Sequence, residues 1–291
     1  MGRLNELAQN AVDTVESTES LDRISAPLAA FVKKITAASP AVKNALSGTW
    51  LGHSLHPVLT DVPIGAWVSA TVLDLAAGEE GAAAARRLVG IGVLAAAPTA
   101  AAGAADWSDT HGPAQRTGLI HWAGNFTATV LQGTSWAVRR RGHRGAGAAL
   151  SLLALTITVG AAYLGGHLTL RRGVGVNHTA FQEDVADWTD VAADADLQEA
   201  QPLRVEASGV PVLLVRDGGT VRALSATCTH AGGPLDEGAI EDGCVTCPWH
   251  GSRFRLDDGT VVRGPAAAPE PVWDVKVEDE RVWIRSADAQ A

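Results

Sequence analysis

Four long apolar stretches follow one another through the first two thirds of the chain. They cover Val62–Ala77, Leu88–Ala105, Gly118–Val138 and Ala146–Leu164. About 20 predominantly apolar residues suffice for a helix to cross a bilayer, and the small residues frequent here let helices pack closely in lipid. A soluble alanine-rich bundle is the alternative, but the second stretch has no charged residue and no polar face. The pattern predicts an α-helical transmembrane bundle of about four spans.

The periodicity differs on either side of these stretches. Before them, apolar residues recur at helical spacing over 4–16 and 27–35, which predicts amphipathic helices lying on the membrane or packing on the bundle. After them, short runs of Val and Leu between Asp/Gly turns predict a C-terminal all-β domain. The predicted parts are an amphipathic helical segment over 1–45, a four-helix membrane domain over 46–180, a linker over 181–186 and a β domain over 187–291.

Composition and charge divide the chain at the same place. With 46% hydrophobic and only 19% charged residues, the chain is apolar for a soluble protein. Residues 1–180 carry 14 Lys/Arg and 11 Asp/Glu, net +3, whereas residues 181–291 carry 9 and 21, net −12. A near-neutral membrane half therefore precedes an acidic soluble half. The acidic half argues against nucleic acid as a partner.

Two Cys/His pairs lie on Gly/Pro-rich loops of the acidic half. Cys228 and His230 stand in C-T-H, and Cys247 and His250 in C-P-W-H, about 16 residues further on. Two thiolates and two imidazoles form the ligand set of a Rieske-type 2Fe–2S cluster, in which the imidazoles hold one of the two irons. A structural zinc site is the alternative, with Cys244 as a further thiol, but C-x-H is not zinc-finger spacing. Cys244 is more typical of a buried strand thiol.

The loop sequences Cys228–Leu235 and Cys247–Phe254 resemble those of the Rieske ferredoxin family, and the resemblance covers roughly residues 187–287. It implies a small antiparallel β domain with the cluster at its tip and the two histidines nearest solvent. A third loop, Arg263–Pro269, is expected to cover the cluster from the side. The residues expected around the cluster are Gly232, Gly233, Pro248, Trp249, Gly251, Ser252 and Pro265.

The chain departs from the Rieske proteins of respiratory cytochrome bc complexes at two kinds of position. Those proteins carry one more cysteine in each loop, joined as a disulfide, where this chain has Gly233 and Trp249. They also place a serine and a tyrosine hydroxyl near the cluster, whereas this chain has Ser252 but Phe254. Fewer hydrogen-bond donors near the sulfurs lower the reduction potential. We therefore expect an intermediate or low potential.

The membrane half resembles a family of poorly characterised four-helix bacterial membrane domains over about residues 45–180. The resemblance rests on the runs His53–Gly65, Asp106–Trp107, Tyr163–His167 and Gly173–Val176. It implies an integral protein of the bacterial cell membrane but no established chemistry.

Several histidines fall at one end of the predicted bundle. A four-span topology puts the N-terminus, the second loop and the C-terminal tail on one side of the bilayer. Imidazoles at one depth can ligate haem iron or another metal, or hydrogen-bond a quinone. Singly, each would be explained by hydrogen bonds to water, backbone or lipid head groups. The candidate ligands of a haem b, metal or quinone are His53, His56, His121 and His167.

Arginines in the short first and third loops favour a β domain outside the cytoplasm by the positive-inside rule. Export of a folded cluster protein requires a twin-arginine signal, which the run Arg139–Arg141 matches poorly. The side of the membrane on which the β domain lies therefore stays open.

The sequence predicts a membrane-anchored electron carrier that exchanges single electrons between haem or quinone in the membrane and a redox protein with a basic patch. A redox sensor or scaffold and a ferredoxin component feeding an oxygenase are the alternatives, so whether the chain is an enzyme component stays open. A terminal Rieske oxygenase is not expected. Its catalytic iron needs two further His and a carboxylate, and no histidine follows His250.

Overall fold

The computed structural model describes residues 2–287, which divide into a helical unit and a β unit. The helical unit comprises the residues up to Thr36 together with Leu55–Val174, and the β unit comprises Ala37–Ser54 together with the chain from Gly175 onward. A helical N-terminal half followed by an all-β domain is therefore confirmed. The helices are α1 (Arg3–Ser17), α2 (Asp22–Ala37), α3 (Pro40–Ser47), α4 (Leu55–Ala76), α5 (Ala82–Trp107), α6 (Gly112–Arg140) and α7 (Arg144–Leu170).

Short loops join α4 to α5 and α6 to α7, so that each pair forms a hairpin of neighbouring helices. The side chains are distributed as in a membrane bundle. Small residues such as Ala70 and Ala102 are fully buried between the helices, whereas Leu75, Leu94 and Val159 point outwards. Small residues allow close helix contact, and large apolar ones suit a lipid surface.

The prediction of four spans differs from the structure at α6. Within residues 2–287, only α4, α5 and α7 are long and apolar enough to cross a membrane. At 29 residues α6 has the length, but its buried residues include Gln115, Arg116, Gln132 and Arg139. Polar groups in a membrane domain are tolerated where they face the protein interior. This polar buried face lowers the hydropathy of α6 and explains why it falls short of the other three helices.

Three polar residues of α6, Gln132, Ser135 and Arg139, form a hydrogen-bonded network near the C-terminal end of the helix. Arg139 donates to both carboxylate oxygens of Asp74 on α4, at 2.8 and 2.5 Å, and to Ser135 at 3.1 Å. Ser135 and Ser151 share a hydrogen bond of 2.8 Å, and Ser151 donates to Gln132 at 2.9 Å. The charge of Arg139 is therefore compensated inside the bundle.

The N-terminal helices α1 and α2 pack on the other end of the same bundle. Arg116 of α6 donates to the Asp22 carboxylate at 2.7 and 2.6 Å and to the Glu16 carbonyl at 2.6 Å. Lys33 of α2 pairs with the buried Asp109 at 3.1 Å. These contacts agree with the second of the two expectations for the amphipathic N-terminal helices, that they pack on the bundle.

As far as residue 287, the β unit contains three antiparallel sheets, in the orders β1-β10-β9, β2-β3-β4 and β5-β6-β7-β8. The strands are β1 (Thr189–Ala193), β2 (Pro202–Ala207), β3 (Val210–Asp217), β4 (Thr220–Ser225), β5 (Ala239–Glu241), β6 (Cys244–Thr246), β7 (Arg253–Arg255), β8 (Val261–Arg263), β9 (Trp273–Glu278) and β10 (Arg281–Ser286).

Strand β3 is buried on both faces and separates two apolar cores. Val212 and Leu214 belong to one core, and Leu213 and Val215 belong to the other. Alternate side chains of a strand point to opposite faces, so the run of Val and Leu supplies both cores at once. The second core also contains the two cysteines of the Cys/His pairs, so the ligand loops rest directly on it.

The boundary of the β unit differs from the one expected from the sequence. Residues 37–54 contain α3 and belong to the β unit, although they span the expected boundary between the N-terminal segment and the membrane domain. The Asn44 side chain donates to the Val262 carbonyl at 3.1 Å and accepts from the Gly264 amide at 2.9 Å. A helix that precedes α4 in the chain thus holds a loop that follows β8.

Candidate iron–sulfur site

Two loops of the same conformation carry the Cys/His pairs. In the first loop, the Cys228 amide donates to the Gly233 carbonyl, and the Gly232 amide donates back to the Cys228 carbonyl, both at 2.8 Å. The second loop, from Cys247 to Ser252, repeats the two bonds at 2.8 and 3.0 Å. The fifth residue of each loop is a glycine, with φ of +73° and +74°. Glycine adopts this conformation without steric cost, so the two loops form equivalent turns.

The structure brings the four predicted ligands together as a thiol pair and an imidazole pair. The thiols of Cys228 and Cys247 are hydrogen-bonded and almost fully buried. The His230 and His250 ring centroids lie 5.0 Å apart with the planes crossed at 82°. Both Nδ1 atoms are buried, whereas the two histidines as whole residues are partly exposed.

The surroundings of the two cysteines shift their pKa values in opposite directions. A hydrogen bond from the Cys228 thiol lowers the pKa of Cys247 to about 6 despite burial, and backbone N–H groups of Trp249 and His250 add to this effect. The same bond, together with burial, raises the pKa of Cys228. One thiolate is therefore formed readily, and metal binding would displace the proton of the second. This donor set fits a cluster with two sulfur and two nitrogen ligands.

The seven residues expected around the cluster fall into three groups by exposure and role. Gly233, Ser252 and Pro265 are buried, whereas Pro248 and Trp249 are exposed. A Cβ atom on Gly233 would lie 2.9 Å from the Cys247 sulfur, so glycine is needed for the close approach of the two loops. Gly232 and Gly251 provide the turns.

The third loop is tied to the second ligand loop and to α3. The Ala266 amide donates to the Ser252 hydroxyl at 2.9 Å. The Asn44 side chain holds the same loop two residues earlier, at Gly264. No local sequence signal marks Asn44 as part of this site, because more than 200 residues separate it from its partners.

Glu270 is a second residue that the sequence does not single out. Its Oε1 accepts from the amide of Thr229, between two ligands, at 2.7 Å. Its Oε2 is buried and has no hydrogen-bond partner within residues 2–287. Burial raises the pKa of Glu270 to about 8 against the effect of the Thr229 hydrogen bonds. A carboxyl group that retains its proton near neutral pH therefore lies beside the first ligand loop.

The arrangement of the ligands in pairs bears on the choice between a cluster and a single ion. Among the described residues, no three His, Cys, Asp or Glu side chains are grouped as ligands of one ion. Such a grouping is what structural zinc requires, whereas a 2Fe–2S cluster takes two ligands on each iron. Cys244 is buried on β6, and its thiol lies 3.5 Å from the Asp242 carbonyl oxygen.

Of the four candidate membrane histidines, the structure brings two together. His56 and His121 have ring centroids 6.3 Å apart and planes at 85°. His167 instead pairs with Glu16 of α1 at 3.0 Å, beside Arg172, which also binds this carboxylate. His53 lies in the β unit.

The paired loops, with two thiols and two crossed imidazoles, define an iron–sulfur protein of the Rieske class. The chain belongs to the Rieske 2Fe-2S domain family, which matches residues 187–278. Residues 52–178 match a second family, described as a predicted membrane protein (DUF2231). The chain is therefore an integral membrane protein with a C-terminal Rieske domain.

Known relatives match about a third of the chain. Apoptosis-inducing factor 3 of Homo sapiens is 38% identical over 92 residues, which are 32% of this chain and 15% of that protein. Ferredoxin CarAc of Metapseudomonas resinovorans is 32% identical over 98 residues, 33% of this chain and 92% of the relative. The ferredoxin component of biphenyl 2,3-dioxygenase from Rhodococcus jostii (strain RHA1) is 33% identical over 96 residues, 33% of this chain and 90% of the relative. The likeness to ferredoxins supports an electron-transfer role.

Proposed function

We propose that this protein is a membrane-anchored electron carrier that passes single electrons between a redox group in the membrane, haem or quinone, and a protein partner. The observation that carries the proposal is the pair of equivalent Cys/His loops on a chain with an apolar helical unit. Cys228 and Cys247 would hold one iron and His230 and His250 the other. The bound cluster would supply one-electron chemistry.

The surface around the ligand loops suits contact with a partner. His230 and His250 are both partly exposed, and Trp249, next to His250, is 56% exposed. An aromatic side chain of this kind is a frequent anchor in protein interfaces. The acidic charge of the β unit favours a partner with a basic patch, and electron transfer should slow as salt screens that attraction.

A ferredoxin component that feeds an oxygenase is the second candidate function. Two relatives are a ferredoxin and the ferredoxin component of a dioxygenase, and this chain covers 92% and 90% of their lengths. A membrane redox sensor would contain the same cluster but would sustain no net electron flow. Steady turnover with a quinol and an external acceptor would support the carrier, whereas a cluster that titrates without turnover would support the sensor.

The cluster itself is tested by optical and EPR spectra of full-length protein in detergent, before and after reduction with dithionite. The wild type should show a Rieske-type signal. The signal should disappear in Cys228→Ser, His230→Ala, Cys247→Ser and His250→Ala. Cys244→Ala is the matched control and should retain it. Stoichiometric zinc without iron in the wild type would contradict the proposal.

A further inference from the structure

His56 and His121 occupy equivalent positions in the two helix hairpins of the helical unit. His56 on α4 bonds through Nδ1 to the Thr99 carbonyl on α5 at 2.9 Å. His121 on α6 bonds through Nδ1 to the Ala161 carbonyl on α7 at 2.7 Å. In both hairpins an imidazole of the first helix is thus fixed by a backbone carbonyl of the second.

Each imidazole also lies against a glycine one turn beyond that carbonyl. A Cβ atom on Gly103 of α5 would come within 2.7 Å of the His56 ring, and one on Gly165 of α7 would come within 2.9 Å of the His121 ring. Both glycines stand four residues after the carbonyl that accepts the Nδ1 hydrogen bond. The two imidazole rings therefore have the same local surroundings, a backbone carbonyl at Nδ1 and a glycine against the ring.

A second pair of equivalent residues confirms that α4 and α6 correspond. Asp74 and Arg139 follow the two histidines by 18 residues each and form the buried ion pair of the helical unit. An offset of 18 helical residues is about 27 Å along the axis. The two hairpins therefore contact each other through equivalent residues at both ends of the bundle. The histidines form the pair at one end, and Asp74 and Arg139 form the pair at the other. An approximate twofold relation between the hairpins requires such an arrangement.

The hydrogen bonds fix the tautomer of both histidines. A carbonyl only accepts, so Nδ1 carries the proton and Nε2 keeps its lone pair. This is the arrangement that orients histidine ligands in metal sites. Within residues 2–287, the hydrogen bond of the His56 ring is the one from Nδ1 to the Thr99 carbonyl. For His121, Asn125 lies 3.2 Å from Nε2 but also donates to the His121 carbonyl at 3.0 Å, so the amide keeps a partner when Nε2 binds another group.

The spacing of the rings suits one metal centre between them. A metal bound by two imidazole nitrogens at about 2.0 Å each would separate the ring centres by about 6 Å once the ring radii are added. The observed separation is 6.3 Å. No third His, Cys, Asp or Glu completes a ligand group among the described residues. The centre must therefore be one that needs only two protein ligands.

From these observations we infer that His56 and His121 are the two nitrogen ligands of one redox-active transition metal, present as porphyrin iron or as a copper ion. Porphyrin iron brings its own equatorial nitrogens and needs only axial ligands, and imidazole also suits copper. The inference rests on the proposed function, because it names the membrane redox group that would exchange electrons with the Rieske cluster. It leaves His167 outside the site, since Glu16 and Arg172 hold that region.

The test uses full-length protein in detergent, reconstituted separately with haemin and with copper. We expect one haem or one copper per chain in the wild type, detected by the haem absorption spectrum and by metal analysis. His56→Ala and His121→Ala should each reduce that binding by at least tenfold, whereas His143→Ala and His167→Ala should retain it. The Rieske EPR signal should persist in all four variants, which separates a failure of this inference from a failure of the proposed function.

Three further variants test whether lost binding is caused by misfolding. His121→Met should restore haem binding with an altered spectrum, because a thioether can replace imidazole on haem iron. Gly165→Ala should weaken binding by pushing on the His121 ring, whereas Gly160→Ala on the same helix meets no atom within 4 Å and should not. A wild-type protein that binds neither haem nor copper stoichiometrically, or alanine variants that bind as well as it does, would overturn the inference. So would a bound quinone without metal.

Discussion

The helical unit and the β unit place their polar chemistry in opposite ways. In the β unit, the cysteine and histidine of each ligand pair are two or three residues apart in the chain. They lie on loops that rest on an apolar core. In the helical unit, the interacting polar residues come from different helices, and both His56–His121 and Asp74–Arg139 are 65 residues apart. A loop can present adjacent residues to one cluster, whereas a helix needs a second helix to complete a site.

This difference predicts that damage to one unit should leave the other functional. The strongest test is Asp74→Ala, which leaves the Arg139 guanidinium buried without its carboxylate. Loss of one partner from a buried pair costs about 3–5 kcal/mol, so we expect a marked fall in the thermal stability of the helical unit in detergent. The Rieske EPR signal should be unchanged.

Glu79→Ala provides the matched control for this variant. Glu79 is 84% exposed and pairs with Arg144 at 3.5 Å, so its removal should cost less than about 1 kcal/mol. If both variants had the same small effect, the buried network would not stabilise the bundle. If Asp74→Ala also abolished the cluster signal, the two units would not be independent.

The same difference explains what could be predicted from sequence. The cluster ligands could be predicted because C-x-H and C-x2-H are local patterns. Their spacing alone argues against most other kinds of metal site. The polar buried face of α6 could not be predicted. Gln132 and Arg139 look like interruptions of a membrane span until their partners on other helices are known. Asn44 and Glu270 were missed for the same reason, since each acts through a tertiary contact.

A smaller effect should come from the pH dependence of the β unit. The pKa of Glu270 is raised to about 8 from its ordinary value near 4.5, so the fold favours the protonated carboxyl. The resulting stability is fully present below pH 4.5 and is lost as the pH rises through 8. The free energy of unfolding of the β unit should therefore be lower at pH 9 than at pH 6, by on the order of a few kcal/mol. As a result, wild-type protein should lose its cluster faster at pH 9 than at pH 6.

Glu270→Gln should remove most of this dependence, because the amide keeps an oxygen for the Thr229 N–H and cannot ionise. The rate of bleaching of the cluster absorbance across this pH range measures the effect. Glu278→Gln, at an exposed carboxylate on β9, is the control and should behave like the wild type. Equal pH dependence in all three proteins would show that another group near the cluster titrates instead.

The smallest expected effect concerns the boundary between the units. Asn44→Ala removes the hydrogen bonds to Val262 of β8 and to Gly264 of the third loop. It leaves the Gly264 amide without that partner, which should cost about 1–3 kcal/mol. Asn44→Asp keeps the acceptor for the Gly264 amide and removes only the donor to Val262. Its loss in free energy of unfolding should therefore be smaller than that of Asn44→Ala. If α3 is part of the β unit, the order of cluster lifetimes should be wild type, aspartate, alanine, with no change in the thermal stability of the helical unit. The reverse pattern, an intact cluster lifetime and a destabilised helical unit, would assign residues 37–54 to the membrane domain after all.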